Sequence, residues 1–291
     1  MSIVLDGTAG ITTPAATATG LISGATNYTG FKNLLIDAGF TINQRAYVSG
    51  ATLASGSYGH DRWKAGASGG DYTFTQLASS TTITIASGKS LIQVVEDKNV
   101  NGTSFVLSWT GTAQARYAVN GATPSGSYAA SPILITGQTV GTTMSVEFNT
   151  GTLSKPQLEL GSTATSFDVR DYGTELAMCQ RYCQVYNYAG SSRVLNGGAR
   201  SSSGAEGSFN FSPPMRDTPT VTIPTVGNGT NQATFMNGSG SYPSMTGTAS
   251  VIAVNPTNFT ISQSGDSGFT TGQQSFYYAS NGCKITLTAE L

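Results

Sequence analysis

The chain has 291 residues and is sparing with charge: 10% of its residues are charged and the formal net charge is −1. A typical domain carries about 25% charged residues, so this surface offers no field to attract nucleic acid or an anionic membrane. Aromatic residues reach 9%, hydrophobic residues 38%, and Gly occurs 36 times. That excludes the signature of disorder and suits many short strands, tight turns and hydroxyl-rich faces. No apolar run approaches the ~18 residues of a membrane span. The first basic residue is Lys32, so the leading segment lacks the basic start of a secretion signal. Synthesis and assembly in a cytosol are expected.

Residues 1–30 are small and polar after one apolar run, Ile3, Val4 and Leu5. They read as an arm that orders by docking. Residues 33–45, NLLIDAGFTINQR, open the first folded domain, 31–170. Strand candidates follow at 71–77, 81–87, 90–96, 103–111, 131–137, 142–149 and 155–161. Ile83 and Ile85 alternate with threonines, and Met144, Val146 and Phe148 alternate with polar residues, the period of a strand with one face in. Ser87-Gly88, Asn101-Gly102 and Asn149-Thr150-Gly151 mark turns between them. Many short strands without interleaved helices indicate an antiparallel sandwich, most simply a jelly roll.

One helix is expected, over about 173–187 inside a linking segment 171–189. Asp171 or Thr174 can cap it, and Glu175 sits near its positive end. Leu176, Cys179, Cys183 and Tyr186 fall at coiled-coil spacing, and a helix this short must bury that stripe somewhere. Residues 190–291 return to β patterning and read as a second, smaller β-sandwich. Cys179, Cys183 and Cys283 read as small buried hydrophobes.

Three stretches carry a resemblance. NLLIDAGFTINQRAYVSG followed by HDRW (Asn33–Gly50, His60–Trp63) resembles the opening of the carbohydrate-binding-module-like jelly roll of bacteriophage tail-fibre proteins. QLELGSTATSFDVRDYGTELAMCQRY (Gln157–Tyr182) resembles that domain's close and exit helix. FSPPMRDTPTV (Phe211–Val221) is similar to the start of the β domain that often follows, and the opening MSIVLDGTAGITTP is similar to the N-termini of short phage structural proteins. The resemblance implies a homotrimeric virion appendage, a fibre or spike subunit that attaches to host-surface glycan. The arm would hold another virion protein through Ile3, Val4 and Leu5. Leu176, Cys179, Tyr182, Cys183 and Tyr186 would line the trimer interface, and the second sandwich would form an exposed tip. A capsid fibre or decoration protein with a mainly structural role is the alternative, and a polysaccharide depolymerase a remoter one.

Enzyme chemistry finds little footing. Gly265-Asp266-Ser267-Gly268 matches a serine-protease nucleophile tetrapeptide, but the single histidine, His60, falls in the other domain, and a triad must converge in space. Asp97–Gly102 copies half a calcium loop, yet Ser108 stands where the bidentate acid belongs. It reads as a hairpin turn. No cofactor and no metal are expected. Trp63 and Trp109 read as core. Glycan contact would use exposed aromatics, with Tyr242, Phe276, Tyr277 and Tyr278 as candidates. Adjacent residues of a strand face opposite ways, so one of Tyr277 and Tyr278 belongs to the core and the other to the surface.

Overall fold

The alternating runs form strands both inside the sheets and at their edges. The computed structural model describes residues 31–291, so the arm and its Ile3, Val4 and Leu5 lie outside the described residues. The first module contains β1 (Lys64–Ala65), β2 (Tyr72–Phe74), β3 (Ile83–Ile85), β4 (Leu91–Val95), β5 (Ser104–Thr110), β6 (Ala115–Ala118), β7 (Ser125–Ala129), β8 (Ile133–Thr136), β9 (Met144–Phe148) and β10 (Gly151–Leu160). They make two five-stranded antiparallel sheets, β1-β4-β9-β6-β7 and β2-β3-β10-β5-β8, packed as a jelly-roll sandwich. Ile83, Ile85, Leu107, Val146, Phe148 and Leu158 point between the sheets with Trp63 and Trp109. Both indoles are buried, and that of Trp109 donates to the Ala113 carbonyl at 2.8 Å.

Residues 33–45 form no strand, yet they are pinned to β10. The Asn33 side chain donates to the Pro156 carbonyl and accepts from the Leu158 amide, each at 3.0 Å. Pro156 sits in a bulge between Ser154 and Gln157, where its missing N–H leaves no gap in the ladder. The segment 97–102 departs from the expected hairpin. It holds a 3-10 turn, Asp97–Asn99, but β4 and β5 belong to different sheets, so it carries the chain across the sandwich.

The helix is shorter than its pattern suggests. It spans Tyr172–Gln180 and is called α1 here, and Asp171 occupies the N-cap position without a side-chain bond to the helix. At Cys183 the chain turns into β11 (Cys183–Tyr188), which pairs over its whole length with β20 (Cys283–Thr288). A six-residue ladder with a distant strand, rich in residues that favour strands, outweighs two more helical turns. This corrects the expected stripe. Cys183 and Tyr186 lie on a strand, and they do not extend a helical seam from Leu176 and Cys179. Cys179 and Tyr182 are buried within the chain against Ile36 and Ile42, with Leu176 packed beside them. Cys183 is likewise fully buried. Cys179, Tyr182 and Cys183 are thus taken up by packing within the chain, whereas Leu176 and Tyr186 are half-buried.

The second module adds β12 (Ser192–Ser201), β13 (Gly204–Asn210), β14 (Thr220–Thr222), β15 (Thr225–Val226), β16 (Gln232–Met236), β17 (Thr248–Asn255), β18 (Asn258–Ser264) and β19 (Gln274–Ala279). Its sheets are β11-β20-β14 and β15-β16-β19-β12-β13-β18-β17, antiparallel except between β15 and β16. Phe235, Phe259, Ile261, Tyr277, Ile285 and Leu287 fill the space between them.

A polar seam joins the modules. The Arg62 guanidinium, 2% exposed, lies 3.6 Å from the centre of the Tyr182 ring. It pairs with Glu290 and donates to the Val94 carbonyl at 2.6 Å. Arg45 reaches Glu290 at 2.8 Å and Asp61 at 3.4 Å. Arg181 grips both oxygens of Glu96, whose carboxylate also accepts from the Tyr182 hydroxyl at 2.8 Å. Around α1, Glu175 accepts from the Asp37 amide and pairs with Arg170. α1 and the residues that follow it thus lie in the seam between the two sandwiches.

Candidate functional site

The period-2 rule separates the two tyrosines of β19. Tyr277 is fully buried and packs on Phe235 with ring centres 5.0 Å apart, so it is core and leaves the list of glycan candidates. Phe276 and Tyr278 share the opposite, outer face of the seven-stranded sheet. Register places Arg193 beside Tyr278 and Asn196 beside Phe276 on β12. On the other side, β16 brings Thr234 to Tyr278 and Met236 to Phe276.

Tyr242 joins them from a tight turn after β16. The Asn237 side chain accepts from the Ser241 amide at 2.9 Å and the Ser239 hydroxyl at 2.8 Å. The Gly240 amide donates to the Asn237 carbonyl at 2.8 Å, and Gly240 takes φ +79°, which a residue with a side chain resists. The turn delivers Tyr242 edge-on to Tyr278, with centroids 5.7 Å apart and planes at 77°, the favoured geometry for an aromatic pair. Tyr242 remains 39% exposed. Packing against Tyr278 and a hydrogen bond to its hydroxyl push the Tyr242 hydroxyl up from its ordinary pKa.

Sequence reasoning missed Arg193. Its guanidinium stands 4.3 Å from the centre of the Phe276 ring. Among the described residues no carboxylate pairs with it: Glu206 pairs with Arg200, and Glu290 with Arg45 and Arg62. The face therefore presents one exposed aromatic ring, two half-buried ones, serine hydroxyls, an amide and a guanidinium with its donors unspent. Sugar C–H faces pack on aromatic surface, and hydroxyls take up such donors.

The motifs that suggested chemistry dissolve into structure. His60 is fully buried in the first module, with one ring nitrogen 2.7 Å from the Tyr72 hydroxyl and the other 2.9 Å from Gln76. Burial lowers its pKa. Asp266 is buried in the second module, accepting from the Gly247 amide at 2.8 Å and the Gln263 side chain at 2.5 Å. It ties a loop and orients no base for Ser267. The three cysteine thiols are buried and unpaired. Burial pushes Cys183 up to about 12 and Cys283 up to about 11, so both stay protonated.

No protein-family model matches the sequence, and no curated protein matches it. Two solved structures span most of the chain. Wild-type discoidin II from Dictyostelium discoideum shares 10% identity, covering 89% of this chain and 92% of its own, with a TM-score of 0.20. The native structure of recombinant discoidin II shares 9%, covering 87% and 92%, with a TM-score of 0.18. Scores this low carry no argument about this chain.

Proposed function

We propose that the chain is a non-enzymatic structural protein of a bacteriophage virion, a fibre or spike subunit that holds host-surface glycan on the outer face of its second module. The observation that carries the glycan contact is the surface cluster of Tyr242, Tyr278, Phe276 and Arg193 on one sheet face. The three fibre-like stretches support the virion assignment, with residues 1–30 as the attachment to another virion protein and homotrimer as the assembly. Cys179, Tyr182 and Cys183 are buried inside the chain, so contacts between copies would draw on other side chains. The seam of buried ion pairs suits the role, because a rigid joint passes load from a glycan to the particle. Single glycan contacts are weak. Linking several on one particle raises avidity about 10²–10⁴-fold without a new contact.

Gold-labelled antibody against this chain, applied to intact particles, tests the virion assignment. Label on tail appendages supports the fibre reading, label on the head moves it to a capsid fibre, and unlabelled particles overturn it.

A further inference from the structure

The first module carries a polar cleft that neither the sequence motifs nor the aromatic cluster involves. It lies on the outer face of the sheet β1-β4-β9-β6-β7, encloses about 290 Å³, and is bordered by Lys89, Ser90, Arg116, Tyr128, Glu147 and Asn149. Ligand pockets run from about 300 to 1,000 Å³, so this one has room for a single ring.

Its centre is Glu147 on β9, only 3% exposed. The carboxylate accepts from Arg116 Nε at 2.7 Å and from the Ser90 hydroxyl at 2.6 Å. Cross-strand register creates the first contact, because Arg116 on β6 lies directly opposite Glu147. Tyr128 closes one wall, with the Arg116 guanidinium 4.7 Å from its ring centre. Gly66 lies against Ser90, and a Cβ there would overlap the Ser90 hydroxyl.

Several polar groups in the cleft keep bonding capacity. Arg116 spends only Nε on Glu147, leaving both terminal nitrogens. Asn149 spends its oxygen on the Gln114 amide at 2.9 Å, leaving its NH₂. Glu147 takes bonds from Ser90, Arg116 and the Tyr128 hydroxyl within the chain and keeps one of its roughly four lone-pair sites. Guanidinium, carboxylate and amide are planar, two-pronged groups, and neighbouring hydroxyls on a sugar ring present the matching pairs of donors and acceptors.

Charge decides between ligand classes. Arg116 cancels Glu147, and Lys89 lies 3.6 Å from Asp71 while donating to the Ser68 carbonyl at 2.8 Å. The cleft is neutral overall, which disfavours phosphate or a sugar acid. Glu147 is the one carboxylate among the bordering residues, and glycoside hydrolysis uses a pair. The chemistry is binding without cleavage.

We infer that this cleft is a second binding site, for one neutral hexose unit held through vicinal hydroxyls by Arg116, Glu147 and Asn149. It is independent of the aromatic face of the second module.

Saturation-transfer NMR on the full chain tests this, with glucose, galactose, mannose, glucuronate and inorganic phosphate as probes at millimolar concentration. At least one neutral hexose should show transfer, and its affinity should fall about tenfold or more in Arg116→Lys and in Asn149→Ala, as for a lost hydrogen bond to a charged or buried polar group. Arg116→Lys keeps the charge, and its unchanged thermal midpoint would show that the fold survives. Tyr278→Ala should leave this signal intact. Transfer to none of the three hexoses would overturn the site, as would a signal that survives both cleft variants. Preference for glucuronate or phosphate would overturn the ligand class, and loss in Tyr278→Ala alone would assign the binding to the other face.

Discussion

Glu290→Gln probes the seam at its most buried point. Among the described residues Glu290 is the only carboxylate paired with Arg62, a guanidinium 2% exposed whose remaining partners there are the Val94 carbonyl and the Tyr182 ring. The amide keeps the shape and one acceptor but removes the negative charge. Breaking a buried pair costs about 3–5 kcal/mol, because the surviving charge stays desolvated. The Gln oxygen still accepts one bond and Arg45 keeps Asp61 at 3.4 Å, so the low end, about 3 kcal/mol, applies. For a domain of this size that corresponds to about 6–12 °C in the thermal midpoint. Urea unfolding, followed by fluorescence and circular dichroism, measures the loss without screening charges. Arg200→Ala, whose pair with Glu206 is open to solvent, is the control and should not move the midpoint. A loss under about 0.5 kcal/mol for Glu290→Gln would refute the reasoning and leave the modules held by apolar contact alone.

Asp61 gives the seam a pH signature. Burial raises its pKa from 3.8 to about 6 against the pull of Arg45, so between those values the folded state holds a proton that the unfolded state releases. The sign is therefore a penalty, absent below about pH 4 and complete above about pH 6, worth about 3 kcal/mol. The stability of the wild type relative to Asp61→Asn should fall by that amount across the window, and a flat difference would be contrary evidence. Tyr277→Ala should cost about 3–5 kcal/mol as an emptied core site, whereas Tyr278→Ala should leave unfolding nearly unchanged; similar losses for both would mean that the two faces are misassigned. The buried Tyr277 hydroxyl has no hydrogen-bond partner among the described residues, so Tyr277→Phe should gain about 1 kcal/mol, with a loss of that size as the opposing result. Leu176→Asp should lower stability without changing oligomeric state in light scattering, and dissociation to monomers would restore α1 as an axis.

Much of the first module was legible because its strands alternate against a single core: Ile83 and Ile85, or Met144, Val146 and Phe148, carry their own register. The split between Tyr277 and Tyr278 followed from the same period. β12 and β13 were not legible. SRVLNGGARS has no alternation, and its glycines answer to neighbours instead, since a Cβ at Gly197 would come within 2.8 Å of the Phe235 ring. The helix end was missed because pairing with β20 is set by residues about a hundred positions away. Arg193 and the Arg116–Glu147 pair were invisible for a related reason. Cross-strand register made them into sites, and nothing local in the sequence records it. The stretch 157–182 runs from β10 through α1, and its Arg170, Glu175, Arg181 and Tyr182 make the polar contacts around the seam.

The most direct test is binding of the full chain to an array of defined oligosaccharides, run beside the Tyr242→Ala/Tyr278→Ala double variant with its fold checked by circular dichroism. Binding to one or more glycans by the wild type, lost at least tenfold in the folded double variant, is the expected result. Wild-type binding that persists undiminished in the variant, or no binding to any glycan, would contradict glycan attachment through this face.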